Sequence, residues 1–588
     1  MEYAGKKYAR PERKKMPDYS NLSVLIVDPN QGMRASVHNM LTQVNISKVE
    51  HAVSSGTAIR ALNKKNFDVI LCEYDLGSAG GSEAGQDGQQ LLEDLRLHRV
   101  ISQWAIFIML TSEGVYSKVV SAAELLPTDY ILKPFTVDVL AQRIGRALER
   151  RATFLPVYQM ISQGKAREAI AACLSNEASQ PRYATDYARL RAELLMSLNR
   201  LPEAELAYAG IVAGKPLGWA QLGQARCAFA LTRYPEAQAQ LEALIAANPK
   251  LMAAYDLLAQ VLRAQRKDGE AKQVLEDAVA ISPHMVSRLR NLGDVAYATG
   301  DIDAAEKAFK QVVAKARYSE FRDPADHVNL VRTLVKKGDA GGASAVIRDM
   351  ERSLRSGPDV DVCRAYSSSM LQELNGKPDA AAAELAKAMA LLSEATGMSS
   401  NIKLGLAHSC LVNRMDEQAA VLFEELTRDP DSGVSAADVV SLCAQAGRED
   451  VARSYDQQLD LEVDAMVRQA AENSRKGDLQ GAVAVLQLAL RKRPDHKGLW
   501  TVAATAMLRQ IMDLGWDATL AVQCTGLLRR IREDNPAHPL LPGLIAQYAA
   551  VRQKYAPAVS AAAAAAAGTA PPAPGPAPAP APAPAETR

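Results

Sequence analysis

The feature that most constrains the fold of this chain is a recurrence of small, large and proline residues every 34 positions. The recurring residues fall into three sets: Ala237, Ala271 and Ala305; Leu241, Leu275 and Phe309; Pro249 and Pro283. Small residues allow the two helices of a hairpin to cross closely, larger ones fill the gap to the next hairpin, and proline ends the second helix. The recurrence therefore predicts stacked helical hairpins, each burying its apolar face against its neighbours.

A period of 34 residues is typical of tetratricopeptide repeats, and this part of the chain resembles that family. Weaker copies are centred on Ala169, Ala204, Ala343, Ala382, Ala419, Ala452 and Ala482. Around Asp323–Asn329 the period breaks, since the interval from Ala305 to Ala343 is 38. We predict an all-α superhelical solenoid over residues 153–555, with another type of helical-hairpin solenoid as the alternative. The number of repeats between residues 310 and 470 stays open.

The N-terminal part has a different pattern, in which short apolar runs alternate with helical stretches. The runs are Val24–Val27, Val69–Cys72, Ile106–Leu110 and Tyr130–Leu132. Runs that are apolar throughout suit a parallel sheet covered by helices on both faces. We predict a doubly wound α/β domain over residues 20–150. Thr136 is a good N-cap for its last helix, which we expect from Val137 to about Arg151, continuing into the repeats.

Polar residues follow the predicted strands, where open α/β sheets keep their chemistry. Asp28, Glu73, Thr111 and Lys133 each stand at the end of a strand. The segments VLIVDPN (24–30) and Lys133-Pro134-Phe135 resemble motifs of the receiver domain of bacterial response regulators, a five-stranded parallel sheet. This resemblance implies that Glu73 takes the phospho-acceptor position, Asp28 belongs to the acidic pocket, and Lys133 pairs with phosphate. It also implies that Thr111 and Tyr130 take the switch positions, and that the Lys133–Pro134 bond is often cis in the family.

Two residues depart from the receiver pattern. The acceptor position holds Glu73 in place of Asp, and Pro29 replaces the second acid. The longer glutamate places its carboxylate near the position of a phosphoryl group, where Lys133 can pair with it and Thr111 can hydrogen-bond it. Only weak Mg²⁺ binding is expected at Asp28 and Glu73. We predict a pseudo-receiver. The alternatives are phosphorylation on Glu73 or on nearby Asp75, and a purely structural Glu73–Lys133 ion pair.

Composition excludes several function classes. The formal net charge is only +1, which gives no field to attract nucleic acid. The seven cysteines form no CxxC pair, which favours a reducing cytoplasmic location, and no apolar run is long enough for membrane insertion. The Gly/Ser-rich stretch 77–86 matches no phosphate-binding motif, and isolated residues such as His408 and Cys410 favour packing over ligation. We expect no enzyme and no required cofactor.

Both ends of the chain have biased compositions. Residues 1–19 are predicted to be a disordered basic arm, with a contact arm for an acidic partner as the alternative. Residues 556–588 are rich in alternating Ala and Pro, which favours an extended polyproline II tail. A ligand for a proline-recognition domain is the alternative for this tail.

The chain as a whole resembles bacterial response regulators in which a receiver is fused to tetratricopeptide repeats. This implies a cytoplasmic two-component signalling adaptor that acts by protein binding. Its receiver would meet a histidine kinase, another receiver or a regulated enzyme, and its groove would hold a peptide or helix. Candidate groove residues are Asp256, Gln260, Arg263, Arg290 and Asp294. The alternatives are a working phospho-switch that moves the repeats through the helix from Val137, and a constitutive scaffold.

Overall fold

The computed structural model describes residues 19–77, 87–102, 104–111, 127–283, 285–317, 319, 321–429 and 432–555. The predicted tail, nearly all of the predicted arm and most of the Gly/Ser-rich stretch lie outside these residues. Tyr19, the last residue of the predicted arm, is buried in the core of the N-terminal domain. The chain divides into two compact units. One comprises residues up to 169 with 234–456, and the other comprises 170–233 with the chain from 457 onward.

The N-terminal domain has a five-stranded, all-parallel sheet with the order β2-β1-β3-β4-β5, which confirms the predicted fold class. The strands are β1 Ser23–Val27, β2 Lys48–Ala52, β3 Val69–Glu73, β4 Ile106–Thr111 and β5 Asp129–Leu132. The helices described around it are α1 Gln31–Gln43, α2 Ser55–Lys64, α3 Gly88–Leu97 and α4 Val137–Ser162.

Alternate residues of the central strands enter two separate cores, because successive side chains of a strand point to opposite faces. Val24 and Ile26 of β1 pack in a core that contains residues of α1 and α4. Leu25 and Val27 pack in the opposite core, with residues of α2 and α3. This two-sided burial is the physical reason for the continuous apolar runs in the sequence.

Side-chain caps fix where the helices begin. Asn30, Ser54, Asp87 and Thr136 each accept a hydrogen bond from a backbone N–H in the first turn. The predicted cap at Thr136 is therefore confirmed. Helix α4 continues past Arg151 to Ser162, as expected from the sequence.

The rest of the described chain consists almost entirely of helices. Those in the first unit are α9 Tyr234–Ala247, α10 Met252–Ala264, α11 Asp268–Ile281, α12 Val286–Ala298, α13 Ile302–Ala316, α14 Pro324–Lys337, α15 Ala340–Ser353, α16 Pro358–Leu374, α17 Pro378–Leu391, α18 Ser400–Val412, α19 Asp416–Arg428 and α20 Ala436–Gln445. Those in the second unit are α6 Ala184–Ser197, α7 Leu201–Gly214, α8 Gly218–Ala230, α22 Leu479–Lys492, α23 Lys497–Leu514, α24 Ala518–Asp534 and α25 Leu541–Lys554. Helices α5 Ala166–Ser179 and α21 Glu449–Arg475 cross the boundaries between the units. 

The Ala, Leu and Phe residues that recur every 34 positions are core residues of these hairpins, whereas Pro249 is exposed. The predicted packing residues are all buried: Ala237, Ala271, Ala305, Leu275 and Phe309. Gly293 on α12 shows how close the approach is, because a Cβ at this position would lie 2.6 Å from the Phe309 ring on α13. The side chain at the crossing must therefore be very small.

From Ala305 to Ala419 the repeats follow an interval of 38 residues, the interval that the sequence shows between Ala305 and Ala343. The fourth residue of each second helix is Ala305, Ala343, Ala381 and Ala419, and all four are buried at intervals of 38 residues. The prediction of Ala382 was therefore wrong by one residue, since it assumed a different register. At the first long interval the connection between α13 and α14 has seven residues, whereas that between α11 and α12 has four.

Across the described ranges, no helix is both long enough and apolar enough to span a bilayer. The seven cysteines are all buried and free.

Candidate functional site

The carboxyl ends of four parallel strands bring the predicted polar residues to one edge of the sheet. Glu73 is the last residue of β3 and Thr111 the last of β4, while Asp28 and Lys133 directly follow β1 and β5. Neighbouring strands are in register, with Glu73 opposite Leu110 and Thr111 opposite Leu132. The ladder continues past β5, where the backbone N–H of Lys133 donates to the Thr111 carbonyl at 2.8 Å. The Lys133–Pro134 peptide bond is cis.

Lys133 lies between the two acids. Its Nζ donates to Glu73 Oε2 and lies 3.3 Å from Asp28 Oδ2. Both carboxylates are buried, with Asp28 1% and Glu73 8% exposed. Charge-assisted contacts of this kind are among the strongest hydrogen bonds in proteins, and low exposure protects them from screening by salt. The three side chains therefore form a compact buried ion cluster.

Both oxygens of the Glu73 carboxylate have a donor. Oε2 accepts from Lys133, and Oε1 accepts from the backbone N–H of Asp75 at 3.2 Å. Asp75 itself is exposed, and its Oδ1 accepts from the Gly77 N–H. Phosphoryl transfer to Glu73 would require one of these oxygens to attack in line with the leaving group, beside the donor that already holds it.

The backbone around Asp28 is held by contacts that sequence reasoning missed. Asp28 Oδ1 accepts from the backbone N–H of Asn30 at 2.7 Å, and the Asp28 carbonyl accepts from the Arg34 guanidinium at 2.6 Å. Arg34 lies on α1, and only its position in the first turn of the predicted helix was a signal for this role. At the intervening position, Pro29 contributes no carboxylate.

These residues fit a tight Mg²⁺ site poorly. Mg²⁺ in proteins takes one or two carboxylates in octahedral geometry with several waters. The two carboxylates here both face the ammonium group of Lys133, which competes with a cation. Among the described residues, no group of three His, Cys, Asp or Glu side chains is arranged to hold a metal ion.

Tyr130, the predicted switch aromatic, lies on the face of the sheet opposite to α4. Tyr130 packs against the core that contains α2 and α3, and burial raises the pKa of its hydroxyl. Within the described ranges this hydroxyl has no hydrogen-bond partner. Burial also raises the pKa of the neighbouring Tyr74 and Cys72, so neither is prepared to ionise.

Three of the five candidate groove residues are engaged in ion pairs between neighbouring repeats. Asp256 pairs with Arg288 at 2.8 Å, Arg290 pairs with Asp326 at 2.7 Å, and Asp294 lies 3.8 Å from Arg332. These pairs link the first helices of successive hairpins. Their charge is largely used within the scaffold, so they are weak candidates for binding a charged group of a ligand.

The N-terminal domain matches a known family. Residues 24–145 match the response regulator receiver domain. The chain is 28% identical over 130 residues to chemotaxis protein CheY-3 of Vibrio cholerae, which covers 22% of this chain and 94% of that protein. It is 27% identical over 129 residues to chemotaxis protein CheY of Pseudomonas aeruginosa, covering 22% and 98%. Residues 24–145 are therefore a receiver domain.

Two solved structures are similar over parts of the chain. A tetratricopeptide repeat protein from Parabacteroides merdae has a TM-score of 0.31 at 14% identity, covering 46% of this chain and 97% of its own. NtrX from Brucella abortus in complex with ATP has a TM-score of 0.21 at 23% identity, covering 26% and 34%. The 34-residue period and the stacked hairpins themselves are typical of tetratricopeptide repeats. A receiver followed by such repeats is a signalling protein with the capacity to bind other proteins.

Proposed function

We propose that this receiver-and-repeat protein is a two-component signalling adaptor whose receiver is a pseudo-receiver. The observation that carries the proposal is the state of Glu73, whose two carboxylate oxygens are held by Lys133 and by the Asp75 N–H. In a phosphorylated receiver the lysine pairs with the phosphoryl group. In this chain Glu73 supplies the negative charge in its place.

The same cluster supports a receiver that does not need a metal. Lys133 already pairs with both pocket acids, and Pro29 removes one carboxylate that Mg²⁺ would use. Any Mg²⁺ bound at Asp28 and Glu73 would be weak, because it would have to displace Lys133. We propose no catalytic activity and no required cofactor.

The output we propose is protein binding in the cytoplasm. The receiver would meet a histidine kinase, another receiver or a regulated signalling enzyme through a surface that is independent of phosphate. The repeats would hold a second protein, as a peptide or helix along the wall of first helices. This arrangement connects two proteins without DNA binding or chemistry.

Intact-mass analysis after incubation with acetyl phosphate and Mg²⁺ tests the pseudo-receiver. The native protein is compared with a Pro29→Asp, Glu73→Asp double variant, and the control adds Lys133→Ala to that double variant. We expect no mass gain in the native protein and a hydroxylamine-labile gain of one phosphoryl group in the double variant, reduced in the control. 

A phosphoryl gain in the native protein would overturn the pseudo-receiver. Peptide mapping would then separate modification of Glu73 from modification of the exposed Asp75. A binding measurement distinguishes an adaptor from a constitutive scaffold. In an adaptor, substitutions in the receiver change the affinity for its partner. In a scaffold, the same substitutions leave that affinity unchanged.

A further inference from the structure

Helix α3 of the receiver contacts the repeat region within the same compact unit. Four of its side chains make these contacts through polar atoms or rings. The pairs are Gln89 Nε2 with Met285 Sδ at 3.4 Å, Glu93 Oε1 with Ser287 Oγ at 3.0 Å, Asp94 Oδ2 with Ser319 Oγ at 2.6 Å, and the His98 ring with the Phe321 ring at 4.0 Å between centroids. Two of the pairs are hydroxyl groups that donate to carboxylates, which are favourable charge-assisted hydrogen bonds.

The contacts involve one side of α3. Residues 89, 93 and 94 lie within an arc of about 140° around the helix axis, since each residue advances by about 100°, and His98 directly follows the last residue of the helix. On the repeat side, Met285 and Ser287 lie at the start of α12, and Ser319 and Phe321 follow the end of α13. The start of the first helix and the end of the second meet at one edge of a hairpin, so the partner is also a single surface.

This contact is partly buried and combines polar with apolar groups. Ser319 is buried, and Phe321 packs against the receiver core that contains Leu91, Leu92 and Leu95. Burial raises the pKa of Glu93, and the hydrogen bond from Ser287 and the charge of Arg290 oppose that rise. Rings stacked nearly parallel, with an interplanar angle of 13°, add to the apolar area removed from water.

We propose that the α3 face of the receiver is a docking surface, and that its partner is this chain's own repeat edge at Met285, Ser287, Ser319 and Phe321. The receiver is thereby fixed on the scaffold, and this face is not available to a separate protein. The inference goes beyond the proposed function, because it holds whether or not Glu73 can be phosphorylated.

The connection between α13 and α14 supplies half of the repeat edge. It has seven residues where the preceding connection between hairpins has four, and the extra length carries Ser319 and Phe321 to the receiver. Hydrogen bonds within the connection hold its shape, since Ser319 Oγ accepts from the Phe321 N–H and the Ser319 carbonyl accepts from Arg322. The break in the 34-residue period thus coincides with the docking surface.

The docked helix begins beside the acceptor position. The Gly88 N–H donates to the Tyr74 carbonyl at 2.7 Å, and a Cβ at Gly88 would overlap the carbonyl oxygen of Glu73. The start of α3 is therefore in direct contact with the end of β3.

Cysteine cross-linking of the full chain tests the docking. In the Asp94→Cys, Ser319→Cys variant, thiols replace two side chains that are already in contact, and a disulfide forms only between residues that approach closely. The control, Asp94→Cys with Ser441→Cys, places the second cysteine on α20, several hairpins further along. The native cysteines are buried, so they compete little for oxidation.

Under mild oxidation we expect the 94–319 pair to give a linked peptide in protein of monomer mass, and the control pair to give none. Absence of that linked peptide would overturn the proposal. So would its presence only in covalent dimers, which would assign the contact to two chains.

Hydrogen exchange of a Phe321→Ala variant gives a second, independent measurement. Loss of the stacked ring should speed exchange of the α3 amides about three- to tenfold, since that ring pair contributes both contact area and stacking. Strands β1 and β3 should exchange as in the native protein. Unchanged exchange in α3 would show that the repeat edge does not hold this helix.

Discussion

The residue-scale distinction in this protein is one methylene group, which separates Glu73 from the aspartate that the receiver pattern has at its position. The longer side chain reaches Lys133 and leaves Asp28 3.3 Å from the same ammonium group. One cation therefore serves two buried acids. The cluster is stable only while that cation is present, because a buried carboxylate without a partner is costly.

Removing the cation should cost more than removing either acid. We expect Lys133→Met to lower the free energy of unfolding of the receiver by about 3 kcal/mol, because it leaves two uncompensated buried carboxylates. Glu73→Ala leaves the Lys133–Asp28 pair and should cost only about 1 kcal/mol. Hydrogen exchange of the β1 and β3 backbone amides in the full chain measures the loss of stability in both variants. Equal losses in the two variants would contradict a shared cation.

Asp87 gives the start of α3 a pH dependence. Burial raises its pKa to about 6, although its carboxylate caps the helix through the Gln90 N–H at 2.7 Å. Because the pKa is raised on folding, the stabilisation it gives is complete below the unfolded value near 3.8 and is lost as the pH rises through 6.

Asp87→Asn should remove this dependence while keeping a good cap. Relative to the native protein, the free energy of unfolding of the variant should rise between pH 4 and pH 6 and stay constant above pH 6. The rise should be about 1–2 kcal/mol for a partly buried group. Thermal unfolding at several pH values measures the difference between the two proteins. A constant difference across this range would contradict the assignment.

At the scale of elements, α3 is the helix most constrained by its surroundings. It is capped by Asp87, begins against the carbonyl of Glu73, and presents one face to the repeats. A Cβ at Gly88 would also lie 3.1 Å from Cys72 Sγ and 3.2 Å from Met109 Sδ. The helix therefore requires glycine at its first position.

Gly88→Ala should destabilise the receiver by about 1–3 kcal/mol, since the helix start must shift away from backbone. Gly210→Ala is a matched control within α7, where a Cβ would meet nothing within 4 Å. That change should instead stabilise its helix by about 0.5–1 kcal/mol, because alanine loses less entropy on folding. Exchange protection in α3 and α7 measures the two effects. A tolerated Gly88→Ala would show that α3 can begin elsewhere.

At the scale of the whole molecule, the repeats are stabilised mainly by contacts between neighbours. Phe309 of α13 fills the space against α12, and the inter-repeat ion pairs connect successive first helices. In such an array, stability is close to a sum of repeat and interface contributions. A local defect should therefore have local effects.

Phe309→Ala should cost about 3–5 kcal/mol through the cavity it leaves. We expect faster exchange in α12–α15 and little change in α22–α24. Val421→Ala is the control, because this valine of α19 is largely exposed and its loss should change stability by less than about 0.5 kcal/mol. Uniformly faster exchange across all repeats would show that the array unfolds as one cooperative block.

Most elements followed from the sequence because their signals are local. Continuous apolar runs predicted four of the five strands but not β2, Thr136 predicted the start of α4, and the 34-residue period predicted the buried alanines. The meeting of Asp28, Glu73 and Lys133 also followed, because the ends of parallel strands share one edge. The repeat pattern predicted Ala382 where the buried residue is Ala381. In an alanine-rich helix, several neighbouring alanines fit the repeat pattern almost equally well.

The sequence by itself determined that an α/β domain precedes a helical-repeat region, because the two have different periodicities. It also determined the residues of the acidic pocket, because these follow the ends of parallel strands. Only the tertiary structure decided that the Asp75 N–H holds the second oxygen of Glu73, and that Ser319 and Phe321 meet helix α3. The physical reason is sequence separation. The residues that join helix α3 to the repeat edge are about two hundred positions apart in the sequence. No local pattern can predict a contact that forms only after both domains have folded.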